Sequence, residues 1–281
     1  MYNNLDVTRV IVSRMPQISN VIVAIALTLF AGLATGLGGL LSMAARRTST
    51  RLLAFAMGLS AGVMVYISFM EMLPEAVSAI EPLYGGRAAT VYALAAFFGG
   101  IGLIALIDWL VPEDENPHEA HTLDELKNPG NHHLRRTGIM LAAAIGIHNF
   151  PEGMATFVSA LDNLEVAVPI VVAVAIHNIP EGIAVYVPIF HSTGSRSKAL
   201  KFTFLSGLAE PLGALAGMLF LLPFWSATVN AMCLAAVAGI MVYISFDELL
   251  PGAERHGHHH ASIIGVVAGM AIMAVSLLLM M

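Results

Sequence analysis

Charged side chains are scarce in this sequence: Asp, Glu, Lys and Arg make up 11% of its 281 residues, against roughly a quarter in soluble domains. So small a share excludes a chain whose whole surface faces water. Cysteine is scarcer still. The single Cys233 lies in an apolar run, which rules out a disulfide framework and any zinc site built from thiolates, and it reads as a small packing residue. No block of Lys or Arg occurs, so nucleic acid is not an expected partner. The N-terminus lacks a short apolar core followed by a small-residue cleavage site. Its first hydrophobic run, from Val21, is long enough to stay as a span, and no cleaved signal is expected.

What the chain has instead is apolar length, 57% of it hydrophobic. Runs near the roughly 20 residues that cross a bilayer as helix recur throughout. They predict helices over Val21–Ala45, Leu52–Leu73, Ala88–Val111, Thr137–Leu161, Val166–Phe190, Phe202–Leu222, Ala227–Leu250 and Ala261–Met281. The expected fold is an all-α polytopic membrane protein of eight transmembrane helices, one transmembrane domain over 1–281. Residues 112–136, with Pro, Gly, acids and His118, His121, His132 and His133, read as a flexible cytoplasmic loop within it.

Nine of the 13 Lys and Arg residues follow spans one, three and five: Arg46, Arg47, Arg51, Lys127, Arg135, Arg136, Arg196, Lys198 and Lys201. The positive-inside rule makes that side cytoplasmic and puts both termini outside. Arg9, Arg14, Arg87 and Arg255 are assigned to the opposite face, together with His256, His258, His259 and His260. The plasma membrane, the inner one in a Gram-negative bacterium, is the expected location.

The chain repeats itself. AGVMVYISFMEMLPEA over 61–76 matches AGIMVYISFDELLPGA over 238–253 at 12 of 16 positions, and GLATGLGGL from Gly32 matches GLAEPLGAL from Gly207. Spans one to three are thus related to six to eight. Paired spans five apart cross in opposite directions, so the arrangement is 3+2+3 with an inverted repeat, as in many secondary transporters. Spans four and five carry the third match, HNFPEGMA at 148–155 and HNIPEGIA at 177–184.

In a helix the His and Glu of HNxPEG are four residues apart and the Asn and Glu three, so all project from adjoining parts of one face. His148 with Glu152 and His177 with Glu181 form two half-sites, and Asn149 and Asn178 offer amide oxygens to one side. Pro151 and Pro180 cannot donate to the carbonyls four residues back, which leaves those oxygens free for a cation. An acid at this depth costs about 2.5–3.5 kcal/mol even on lenient insertion scales, so a function has to justify it twice. Glu210, near the middle of span six, is the natural extra ligand. Imidazole with carboxylate suits zinc, iron, manganese and cobalt, whereas calcium and magnesium prefer oxygen alone and copper(I) prefers sulfur. Three carboxylates could balance more than one divalent ion, so a two-metal centre is a hypothesis.

Other acids fall outside this cage. Glu71 and Glu75 in span two and Asp247 and Glu248 in span seven read equally as mouths of a path or as interface anchors. The 16 Met residues read as packing, with Met64 placed to touch a pathway. Gly32 with Gly36 and Gly213 with Gly217 are small-xxx-small pairs that suit close packing within one chain or between two, which leaves a homodimer open.

With these residues in view, the chain resembles the ZIP (Zrt-/Irt-like) family in its bacterial zinc-uptake branch, through HNFPEG, HNIPEG, the SGLAEP of span six, the His-bearing loop and all eight spans. The resemblance implies a binuclear site. One metal would take His148, Glu152, His177 and Glu181, and the second Asn149, Glu152, Asn178, Glu181 and Glu210. It also implies import of Zn2+, and often Fe2+, manganese, cobalt or cadmium, into the cytoplasm. The two central motifs show no departure from the family pattern, while span two matches it more loosely.

Three other readings compete. A selective metal channel would use every one of these residues and differ only in its flux. An intramembrane metalloenzyme would show HExxH or the ExxH pairing of di-iron bundles, and neither is present. A sensor or structural protein would bind metal without moving it.

Overall fold

The structure is a computed structural model that describes residues 18–44, 49–110, 146, 149–161, 164–221, 224, 226–255 and 257–280. These residues are helical almost throughout, with no strand among them. In chain order the helices are α1 (Ile18–Ala44), α2 (Thr50–Tyr84), α3 (Gly86–Leu110), α4 (149–161), α5 (Leu164–Thr193), α6 (Arg196–Phe220), α7 (Ala227–Arg255) and α8 (His259–Met280). Seven of them, all but α4, are long and apolar enough to cross a membrane. The fourth expected span is described over 149–161 and at 146 only. The loop over 112–136, with His118, His121, His132 and His133, lies outside the described residues, as do His148 and His256.

α2 and α7 run further than their hydropathy suggests, and for the same reason. The apolar run of span two stops at Pro74, yet the helix continues to Tyr84. A π turn over Ser68–Met72 precedes the proline, with the Leu73 N–H donating to the Ser68 carbonyl. A wider turn lets the chain absorb a residue that cannot donate to its own ladder. α7 repeats the device: a π turn over Ser245–Leu249, the Leu250 N–H on the Ser245 carbonyl, then Pro251. In each, a serine hydroxyl donates 2.7 Å back to a methionine carbonyl, Ser68 to Met64 and Ser245 to Met241. The 12-of-16 sequence repeat is therefore a repeat of backbone geometry as well.

Lipid tails are as apolar as leucine, so close helix contact inside a membrane depends on small residues that let backbones meet. α2 packs along α8, with Gly58 against the Ser262 carbonyl and Gly62 against that of Val266. α7 packs on α3 in the same way, with Gly239, the repeat equivalent of Gly62, against the Phe97 carbonyl. α1 packs on α5 and α6. Along the α1–α6 contact Gly32 meets Gly207, Gly36 meets Phe204 and Gly39 meets Thr203, so the two helices run antiparallel. α4 lies on α6, with Gly213 against the Phe150 carbonyl.

One expectation is corrected. Thr50 Oγ1, at the start of α2, stands 3.0 Å from His258 Nε2, just past the end of α7. The described members of the 256–260 histidine segment, and Arg255 before them, therefore share a face with Arg51 and do not lie opposite it. The physical reason is that a single Arg is weak evidence for sidedness, whereas two side chains in contact must lie on the same side.

Candidate metal centre

α5 runs unbroken through the second HNxPEG motif, so its period sets His177 and Glu181 one turn apart on one side, with Asn178 next to His177 around the axis. α4 presents Asn149 and Glu152 in the same relation. Asn149, Glu152, His177, Asn178, Glu181 and Glu210 are all buried, none more than 1% exposed. His148, expected beside them, is outside the described residues.

Three of these side chains converge. One ligand atom from each of Glu152, His177 and Glu181 lies within 4.8 Å of the other two, the only such group of His, Cys, Asp or Glu among the described residues. His177 Nε2 and Glu152 Oε2 are 3.2 Å apart. Glu210 stands beside the trio and is tied to it through Asn178, whose amide nitrogen donates to the Glu210 carboxylate and, at 2.9 Å, to the Ala31 carbonyl. That double donation turns the Asn178 carbonyl oxygen away from both.

Among the described residues, Glu152 Oε1, Asn178 Oδ1 and Glu210 Oε2 are buried without a hydrogen-bond partner. All three are acceptors. Leaving such a group unpaired in a water-free interior costs about 1–3 kcal/mol, more when it is charged. Bound cations would answer these acceptors. One imidazole with two carboxylates fits a borderline divalent metal, and an amide oxygen with a carboxylate fits a harder oxygen-lined neighbour position.

The repeats pack around this centre in matching pairs. Gly153, after Glu152, sits against the Glu210 carbonyl, while Gly182, after Glu181, sits against the Thr35 carbonyl. The aligned segments from Gly32 and Gly207 place Thr35 opposite Glu210 in the repeat. The centre is therefore symmetric in backbone and asymmetric in charge. Thr35 is fully buried, and its hydroxyl has no partner among the described residues.

Two residues escape a reading of spacing alone. Thr35 was accessible through the repeat alignment, because it occupies the place of an acid. Ser60 on α2 is the other: it is fully buried, with Oγ 3.5 Å from Glu181 Oε1 and 3.9 Å from Met64 Sδ. Its repeat equivalent is Val237, so the duplication gives no sign of it. Met64, expected near the pathway, is buried one turn from Ser60. The acids in the π turns do not join the trio. Within those turns Glu71 is partly buried, Asp247 exposed and Glu248 buried.

Comparison with known proteins gives a consistent answer. The family model described as ZIP Zinc transporter matches residues 110–277. A protein of Akkermansia muciniphila named Zinc transporter ZupT is 55% identical over 264 residues, covering 92% of this chain and 98% of that one. Proteins of the same name from Streptococcus mutans and Corynebacterium efficiens are 52% and 54% identical, over 91% and 93% of this chain and 97% and 98% of theirs.

Proposed function

Because the chain belongs to the ZIP zinc transporter family, a family of transporters and not of enzymes, we propose that it carries zinc across the plasma membrane into the cytoplasm. Iron(II), manganese, cobalt and cadmium are further cargo on this reading, since the ligand chemistry of the centre does not separate them sharply. The observation that carries the proposal is the convergence of Glu152, His177 and Glu181, buried and within 4.8 Å of one another, in a chain with seven helices long and apolar enough to span a bilayer among its described residues.

On this reading the centre is binuclear. His148, Glu152, His177 and Glu181 hold one ion, and Asn149, Glu152, Asn178, Glu181 and Glu210 hold the second, the two acids of the central helices being shared. The unpartnered oxygens of Glu152, Asn178 and Glu210 support two positions over one, because Glu210 reaches Asn178 and not the trio. The architecture is eight spans, three, two and three, with the central pair framed by the repeats and both termini outside. The matched π turns and the antiparallel α1–α6 contact support that arrangement. The repeats rock around the ions and expose them to each side in turn.

Purified protein in sealed vesicles tests this directly. Radiolabelled zinc should enter with saturable, carrier-like kinetics, and non-radioactive iron(II), manganese, cobalt and cadmium should each slow it. Zinc that binds to the protein but never crosses would overturn the proposal, and linear flux without saturation would replace the carrier by a channel.

A further inference from the structure

We propose that Ser60 is a further oxygen ligand of the transported cation and sets which metals the centre accepts, an inference that rests on the metal-carrying reading above. Several serine and threonine hydroxyls in these helices turn back on their own backbone: Ser68, Thr203 and Ser245 each donate to the carbonyl four residues earlier at 2.7–2.9 Å. Ser60 faces α5 instead. Its Oγ lies 3.4 Å from the His177 carbonyl oxygen, 3.5 Å from Glu181 Oε1 and 3.9 Å from Met64 Sδ. O–H···O bonds cluster near about 2.7–2.8 Å, so both contacts to oxygen are long and hold this hydroxyl weakly.

They are the right length for something else. Two oxygen ligands at about 2.0–2.2 Å from a tetrahedral zinc stand about 3.3–3.6 Å apart, by the geometry of the tetrahedron. The Ser60–Glu181 separation of 3.5 Å falls in that range, and the Glu152–His177 separation of 3.2 Å lies just below it. A cation between Glu181 and Ser60 would take a lone pair of the hydroxyl, whose proton stays in place and points to the His177 carbonyl. No proton is lost, and the charge of the centre is unchanged. Ser60 is thus a neutral, hard donor entering from α2, a helix that carries neither HNxPEG motif. One turn on, Met64 offers a soft sulfur. Which ions gain from this wall of the centre depends on the balance of oxygen and sulfur there.

The test uses full-length wild-type protein, Ser60→Ala and Ser60→Cys, with zinc and cadmium binding measured in detergent and uptake measured in vesicles. Ser60→Ala should raise the zinc dissociation constant and KM by about 5-fold, the worth of one neutral ligand bond of about 1 kcal/mol, with Vmax within 2-fold of wild type. Ser60→Cys should raise the cadmium-over-zinc preference by about 10-fold or more, because a thiol favours the softer ion. A purely structural role would lower melting temperature and Vmax without moving that preference. Wild-type preference in Ser60→Cys, or an unchanged zinc constant in Ser60→Ala, would overturn the assignment. Wild-type protein that binds zinc without moving it would overturn the transport reading alone, since the binding arm still reads Ser60.

Discussion

Gly32 on α1 and Gly207 on α6 meet backbone to backbone, so that a Cβ on either would run into the carbonyl oxygen of the other. They are also the same position of the repeated segment. In a molecule built from two related halves, equivalent residues touch each other only on the axis that relates the halves. The Gly32–Gly207 crossing marks that axis, and the matched pairs Gly153–Glu210 and Gly182–Thr35 flank it.

The crossing leaves no room for a methyl group. Gly32→Ala and Gly207→Ala should each destabilise the protein by about 1–3 kcal/mol, since the obstacle is backbone and cannot rotate aside. Gly99→Ala on α3 meets no atom within 4 Å, and it should stay within about 0.5 kcal/mol of wild type. Thermal unfolding in detergent, followed by loss of monodisperse protein, separates the two outcomes; equal melting for all three would show that the halves are not locked at this point.

The trio predicts a division of labour among its members. Glu181→Gln keeps the shape and removes the charge, and it should cut zinc uptake by about 100-fold or more, beyond the usual cost of losing a group that merely orients a ligand. Zinc should raise the melting temperature of wild type, and much less that of the variant, because stabilisation follows binding. His177→Ala should harm zinc uptake more than iron uptake, as its imidazole belongs to the trio and not to the Asn178–Glu210 side. Equal losses for both metals would remove that split.

Much of this centre is legible in the sequence, because helical spacing alone puts His177 and Glu181 on one face, and duplication of the motif signals a facing partner. The spans are legible for a similar reason, since length and apolarity decide them. Helix ends are less so. Pro74 and Pro251 read as stops, and only the π turns before them explain why α2 reaches Tyr84 and α7 reaches Arg255. Ser60 is hidden because a lone hydroxyl in an apolar helix ordinarily bonds its own backbone, and only its orientation toward Glu181 tells otherwise. The side on which Arg255 lies is settled by contact with Thr50 through its neighbour His258, a relation across 208 residues that no local pattern contains.

The asymmetry between Thr35 and Glu210 predicts opposite responses to removing a polar group from the two halves. Thr35→Val deletes a buried hydroxyl without a partner among the described residues and keeps its shape. It should leave zinc uptake within about 2-fold and raise stability by up to about 1 kcal/mol, the desolvation no longer borne. Glu210→Gln keeps the contact with Asn178 and loses the charge, so uptake should fall by about 10-fold or more. Uptake lost in Thr35→Val would mean that both repeats supply a ligand from this position.

Sidedness can be read with cysteine labels, because the chain has one native cysteine to remove. In a Cys233→Ser background, Thr50→Cys and His258→Cys should react with a membrane-impermeant maleimide from the same side, as their 3.0 Å contact requires. Arg87→Cys, at the start of α3 just past the far end of α2, should react from the other side. The 35 residues of Thr50–Tyr84 rise about 50 Å at 1.5 Å each, more than the roughly 30 Å hydrocarbon core, so both ends reach water. On the proposed eight-span topology the nine cations after spans one, three and five and Arg255 all fall on the Thr50 face, which the positive-inside rule would make cytoplasmic. In right-side-out vesicles the Arg87→Cys protein should therefore label at once, and the other two only after the membrane is opened. Labelling of Thr50→Cys from outside would invert the whole chain, and labelling of Thr50→Cys and His258→Cys from different sides would break the contact between the start of α2 and the segment just after α7.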